Sequence, residues 1–577
     1  MDLIPVQIRV PRPKKRKFPR GFSPSSNLGS PNEVRDEASE LLHSCRELKA
    51  AAISPKAIAR RGREKFPSGN LFVAKYRQPE NIDMKILFIY PEYPETFWSF
   101  KHALKLINKK AAYPPLGLLT VAAMTPADWE KKLVDMNVEK LKEKDLAWAD
   151  YIFISAMIVQ KKSVREVIEK CKKMRKKIVA GGPLFTMDSE EYDDVNHLIL
   201  GEAESNFSEF LDDLKNKRAK KIYESKCLPG LSQTPIPLWD LIKMKKYSSM
   251  NIQYSRGCPY DCEFCNITSL FGRLPRTKSV DQLLKEFDSL REIGWRGNVF
   301  VVDDNFMGNK VKLKKEILPG IIDWVERCKG PFNFSTEISI NLADDEELLG
   351  LMAKAGFEMV FIGIETPNEE SLRECNKFNN MGRNLLASIQ KIQNYGLEVT
   401  AGFIVGFDND PPSIFERQIN FIQKSGIVTA MVGLLNAPKG TRLYQRLKNA
   451  GRILEDAVSG DNTDYSMNFA SKMEFRKLLE GYKNIVVSIY SPNQYYKRIA
   501  GFFKEFRPLK LKKTGRFRLY YLVGFLKLMF YLGIKEKGRR AYWRFFIRTL
   551  IRHPRFFVHA MTFAAFGLHF RKIFARD

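Results

Sequence analysis

Three of the eight cysteines in this 577-residue chain, Cys258, Cys262 and Cys265, fall within eight positions of "YSRGCPYDCEFCNITSLFGR" (254–273). Thiolates spaced C-x3-C-x2-C point to a metal centre. Structural zinc takes four protein ligands, and Cys328 and Cys375 stand at no zinc-type spacing from the triad, so zinc is underdetermined. A cubane 4Fe-4S cluster normally takes one thiolate per iron, so three cysteines leave one iron open to a substrate or cofactor. The other cysteines are scattered, and no signal-peptide pattern precedes them, which argues against a secreted disulfide framework and for a reducing cytosol.

The elements that must position this triad read as a parallel β/α array. Strand-like apolar runs fall at 250–254, 298–302, 332–336, 359–364, 398–405 and 428–434, separated by helical stretches. That pattern predicts a six-unit partial TIM-type barrel with its chemistry at the strand ends. The cysteines follow the first strand. Asp303 and Asp304 follow the second, Glu337 the third and Glu365 the fourth; Gly402 and Gly406 lie in "AGFIVGFDND", and "NAPKGTRLY" follows the sixth. One carboxylate after a strand is commonly a cap or turn residue. Its ordered recurrence is the signal.

A second alternation precedes the first, with strands at 85–90, 132–136, 151–155, 177–182 and 197–204. It predicts a flavodoxin-like sheet covered on both faces, with ligand at the carboxyl ends of its strands. Gly181 and Gly182 in "AGGP" and Gly201 in "LGEAE" stand where backbone must pass close to a large ligand, or where ordinary tight turns occur.

The triad, with Phe264 before its last cysteine, resembles the signature of the radical S-adenosylmethionine superfamily. The amino and carboxylate groups of S-adenosylmethionine would chelate the open iron, and reductive cleavage would yield a radical able to abstract unactivated hydrogen. The resemblance implies S-adenosylmethionine contacts at Phe264, Asp303, Asp304, Glu337, Glu365, Gly402 and Gly406. A flavodoxin-like domain in front resembles the cobalamin-binding subgroup and implies cobalamin near Asp135, Asn137, Gly181, Gly182 and Gly201. Many such domains ligate cobalt through a histidine in D-x-H-x-x-G. Here the stretch reads "DMNVEK", with Asn137 in the histidine position, which implies cobalamin held without a protein imidazole. From Met84 onward, "YPPLGLL", "GCPYDCEFCNI", "LFGRLPRTKS" and "VDDNFMGN" are similar to the hopanoid methylase group, which implies methyl transfer to an unactivated carbon of an apolar lipid.

The expected organisation is a disordered and helical extension (1–83), the cobalamin-binding-like domain (84–225), a linker (226–245), the radical core (246–470) and a basic, aromatic helical region (471–577). Met84 is a candidate natural start. Formal charge is +29, and from Arg507 onward 18 Lys and Arg face Glu536 and Asp577. Cations interleaved with aromatic residues suit an anionic headgroup interface, so the expected location is cytoplasmic, peripheral at the inner face of a membrane. "LYYLVGFLKLMFYLG" (519–533) and "FFVHAMTFAAFGLHF" (556–570) are short for membrane spans and read as interfacial or buried helices. Nucleic acid is not favoured, because the apolar blocks exceed what base stacking needs. A ferredoxin or flavodoxin would supply electrons. Two alternatives share the motifs: a ring-forming or oxidative radical enzyme on a lipid or tetrapyrrole, and a membrane-binding iron–sulfur protein without catalysis.

Overall fold

Runs such as "KILFIY" and "YIFIS" are apolar on both faces because each strand is sandwiched between helices, and parallel pairing follows. The computed structural model describes residues 84–225, 227–455, 458–509 and 519–575. The expectations for residues 1–83 lie outside them.

The first sheet contains β1 (Lys85–Tyr90), β2 (Glu130–Asp135), β3 (Tyr151–Ser155), β4 (Lys177–Gly181), β5 (His197–Leu200) and β6 (Ile222–Glu224). Its order is β2-β1-β3-β4-β5-β6, all parallel. This is the flavodoxin order extended by one edge strand, with the chain reversing direction across the sheet between β1 and β3. Ile86, Leu87, Phe88 and Ile89 are fully buried, feeding one apolar core on each face.

The second sheet contains β7 (Met250–Ile252), β10 (Gly297–Val301), β11 (Phe332–Glu337), β12 (Phe357–Glu365), β13 (Glu398–Val405) and β14 (Ala430–Leu434), parallel neighbours in sequence order. β7 and β14 do not pair, so the barrel is partial, as expected. Between β7 and β10 a two-residue antiparallel hairpin, β8 (Ser255–Arg256) with β9 (Arg276–Thr277), closes the base of the cysteine loop.

Helices Phe475–Tyr490, Pro492–Glu505, Leu519–Phe530, Arg539–Arg552 and Phe557–Phe574 form the carboxyl-terminal layer. Among the described residues no helix is long and apolar enough to cross a membrane. The two apolar segments of the sequence separate here. Phe557–Phe574 is largely core, with Phe563, Phe570 and Ile573 buried, whereas Leu519–Phe530 exposes Val523, Leu526 and Phe530.

Candidate active site

The two sheets point their carboxyl ends at one cavity of about 950 Å³, near the upper end for small-molecule clefts. Its front wall carries Asn137, Ser155, Gly181, Gly182 and Gly201; its barrel wall carries Asn251, Asp304, Glu337, Phe361, Thr400 and Met431.

The cysteine loop leaves the barrel at Gly257, whose φ of +94° favours glycine; a Cβ there would meet the carbonyl oxygens of Phe271, Gly272 and Leu274, each at 3.0 Å. Cys258 N–H donates to Gly272 O (3.3 Å) and Cys265 N–H to Cys262 O (3.1 Å). Between the thiols, buried Glu263 accepts a two-pronged bond from Arg446 (2.6 and 3.0 Å), anchoring the loop to the helix after β14. All three cysteines are free. Burial raises Cys258 and Cys262 above the ordinary thiol range and pushes Cys265 up to about 12. Cys258 and Cys265 each feel the charge of Cys262, and Lys377 opposes the rise at all three. Among the described residues no three His, Cys, Asp or Glu converge on the position of a single ion.

The strand-end acids divide into two groups. Asp303 is fully buried, accepting from Tyr254 N–H (2.8 Å) and Ser255 Oγ–H (2.6 Å); it fixes the approach to the cysteine loop and does not line the cavity. Glu365 leaves β12 in the left-handed region (φ +63°) and is bound by Lys377 at 2.8 Å, also off the cavity wall. Asp304 and Glu337 face the cavity. Burial pushes Asp304 up to about 6, and its buried Oδ2 has no hydrogen-bond partner. Burial, then Asp304 and Asp303, push Glu337 up to about 8. Tyr113, from "YPPLGLL", lies on the same wall and is raised to about 12 by burial and by Glu337.

Phe264 is half-buried, its ring 6.4 Å from that of Phe407, which follows Gly406. Gly406 turns the chain out of β13, its N–H held by Asp410 (2.9 Å). Gly402 leaves room for Phe361, whose ring a Cβ would meet at 3.1 Å.

In the front domain, Gly182 has φ +93°, and a Cβ there would stand 2.7 Å from Ser155 Oγ; at Gly181 it would stand 2.9 Å from Ile199 O. These contacts keep the wall flat and free of side chains. Asn137 lines the cavity, but its amide is committed: Oδ1 accepts from Tyr93 N–H (2.8 Å) and Nδ2 donates to Asp135 (2.8 Å) and Pro91 O (3.2 Å). Asp135 is buried behind it, accepting from Tyr247 O–H (2.8 Å), and lies off the wall. No histidine lines the cavity among the described residues.

Sequence reasoning missed the clamp between the two domains. Arg256, two residues before Cys258, donates to Glu202 (2.6 Å) and Glu204 (2.8 and 3.0 Å), and Arg276 donates to both oxygens of Glu202 (2.5 and 3.0 Å). All four side chains are nearly buried. The available signal was "GEAE" after one buried strand and an arginine just before the first cysteine. Lys377, in "ECNKF", was missed likewise.

Residues 252–422 match the Radical SAM superfamily, residues 106–211 the B12 binding domain, and residues 441–576 a domain of unknown function, DUF4070. An uncharacterized methyltransferase of Synechocystis sp. is 39% identical over 492 residues, 84% of this chain and 91% of that protein. The hopanoid C-2 methylase of Rhodopseudomonas palustris is 31% identical over 479 residues, 81% of this chain and 90% of that one. The fold is similar to that of the cobalamin-dependent S-adenosylmethionine radical enzyme OxsB, with a TM-score of 0.56 at 14% identity, covering 85% of this chain and 79% of that one. The chain belongs to the cobalamin-binding radical S-adenosylmethionine methyltransferase family.

Proposed function

We propose that this enzyme transfers a methyl group to an unactivated carbon of an apolar, hopanoid-like lipid and works as a peripheral membrane protein. The observation that carries the reading is the shared cavity: a barrel wall bearing Asp304 and Glu337 beside apolar Phe361, Met359 and Met431, opposite a glycine-lined sheet end whose acids Glu202 and Glu204 are bound by Arg256 and Arg276.

The donor chemistry fits a cubane. Cys258, Cys262 and Cys265 would each hold a different iron, and the three thiols lie close enough in one loop for the charge of Cys262 to act on the other two. The orphaned Asp304 Oδ2 fits the ammonium group of S-adenosylmethionine, and Glu337 a hydroxyl or ammonium donor beside it. Phe264 and the backbone at Gly406 form the side suited to adenine, with Gly402 keeping the barrel interior open. Asp303 and Glu365 support this arrangement from behind. The cradle of Gly181, Gly182 and Gly201 fits the flat face of cobalamin, held without a protein imidazole; Asp135 and Asn137 shape the loop beside it.

When bound, the cluster and S-adenosylmethionine supply hydrogen abstraction from an unactivated carbon, and cobalamin supplies the methyl group. The chain's own work is positioning and exclusion. The Glu202–Arg256 clamp fixes the separation of the two walls. Phe361, Met359 and Phe300 offer apolar surface to a polycyclic substrate and displace water. Burial holds Asp304 at about 6 and Glu337 at about 8, and a cationic ligand beside them would favour their ionised forms, so that its binding releases protons to solvent and leaves the counter-charge in place. An external ferredoxin or flavodoxin provides electrons.

The test is anaerobic reconstitution with iron, sulfide and cobalamin, followed by reductant, S-adenosylmethionine and a lipid extract. The expected products are 5′-deoxyadenosine and a lipid heavier by one methylene. 5′-Deoxyadenosine with a lipid of unchanged or lower mass would replace methyl transfer by ring formation or oxidation.

A further inference from the structure

The carboxyl-terminal layer exposes apolar and cationic side chains together over three consecutive helices. Val523 (43% exposed), Leu526 (54%), Ile534 (62%), Ile547 (53%), Ile551 (73%) and Val558 (62%) all lie within three consecutive helices and their turns. Lys527, Lys535, Arg540, Arg544, Arg548 and Arg552 are exposed among them. The acid among the described residues 519–575, Glu536, is bound to Arg571 (2.6 and 3.0 Å) and does not pair with those cations. An apolar patch of this kind, on helices that do not span a membrane, marks an interaction surface. Interspersed Lys and Arg select a negatively charged partner with an apolar interior.

The same layer packs against one exposed edge of the cavity. Phe97 stacks on Phe570 (4.3 Å between ring centres), and His569 Nε2 lies 3.0 Å from Phe97 O. The next residue, Trp98, is 37% exposed and lines the cavity with Lys101. Phe100 turns the chain here in the left-handed region (φ +46°), a conformation unfavourable for a bulky residue and held by packing on Phe566 (4.9 Å). Helix Leu519–Phe530 lies against Lys105–Ile107, where Gly524 allows close approach: a Cβ would stand 3.1 Å from Leu106 O. That helix therefore adjoins the segment that forms this edge.

We propose that this outer face seats on an anionic lipid bilayer and that seating turns the Trp98–Lys101 edge of the cavity to the bilayer, so that an apolar substrate enters there from lipid without crossing water. The inference deepens the peripheral-membrane reading by naming the face that docks, and its second half also rests on the lipid-substrate reading. The experiment uses full-length holoenzyme and vesicles of phosphatidylcholine with or without phosphatidylglycerol. Sedimentation with the anionic vesicles, weakening as salt rises, is expected. Arg544→Glu with Arg548→Glu should reduce that binding about tenfold or more, and Ile547→Asp with Ile551→Asp should reduce it even at low salt. Both variants should keep 5′-deoxyadenosine formation and turnover of detergent-dispersed lipid, which also certifies their folding, while turnover of vesicle-embedded lipid falls with binding. Wild-type protein that ignores anionic vesicles, variants that bind as wild type, or preference for an RNA duplex over vesicles would overturn the proposal. Vesicle binding with no methylation of lipid in detergent would instead leave the docking surface standing and remove the lipid-methylation reading.

Discussion

The two six-stranded sheets share their architecture and differ in what they place at its working end. Both are parallel, both are covered by helices, and both end at the same cavity. The front sheet presents Ser155, Gly181, Gly182 and Gly201 to it, nearly without side chains, and the acids that follow, Glu202 and Glu204, are bound by Arg256 and Arg276; the barrel presents Asp304 and Glu337, with the cysteine loop, Asp303 and Glu365 off the wall. One sheet offers shape and the other offers charge. A large flat ligand needs backbone close by and nothing protruding, whereas a metal cluster and a cationic cofactor need donors, so a common fold serves unlike ligands through strand-end residues alone.

The contrast predicts which losses follow from damage to each side. Cys258→Ala should abolish 5′-deoxyadenosine formation and cluster absorbance, while Cys328→Ala, at a half-buried position away from the loop, should leave both intact; equal behaviour would dissolve the assignment. Glu202→Ala attacks the join. Removing one partner of a buried ion pair costs about 3–5 kcal/mol, so the thermal midpoint should drop, and methylated product per 5′-deoxyadenosine should fall because the two walls lose register. Gly182→Ala attacks the front side alone. Strain at its positive φ and the contact with Ser155 cost about 1–3 kcal/mol, so cobalamin affinity should fall about tenfold with cleavage of S-adenosylmethionine unchanged.

The smallest effect concerns the barrel's charge. Glu337, held at about 8 by burial first and by Asp304 and Asp303 next, binds its proton more tightly folded than unfolded. Its contribution to stability is thus present in acid and lost as pH rises toward 8. Glu337→Gln keeps the neutral form throughout. The unliganded variant should melt like wild type near the unfolded carboxyl value of about 4.3 and about 2–4 °C higher at alkaline pH; a constant offset across the range would contradict the assignment.

Legibility in the sequence followed burial. Strands such as Lys85–Tyr90 and Glu398–Val405 are apolar along their length because both faces are covered, and they stand out between turn residues. β6 was invisible: three residues at a sheet edge, exposed, buried and exposed, leave no period to read. The β8–β9 hairpin, two residues a side, was equally silent. The three cysteines announced themselves by spacing, and Asp304 and Glu337 by following strands, but sequence could not separate them from Asp303 and Glu365, because one residue's rotation decides between cavity and interior. Arg256 read as an ordinary polar residue. Its partners lie more than fifty positions upstream, and no local pattern links a buried arginine to acids in another domain.

The account rests on two cofactors meeting in one cavity, and withholding one of them tests it most directly. Reconstituted enzyme, given reductant, S-adenosylmethionine and lipid with and without cobalamin, should form 5′-deoxyadenosine in both cases and methylated lipid only when cobalamin is present. Methylation undiminished in cobalamin-free enzyme would contradict it.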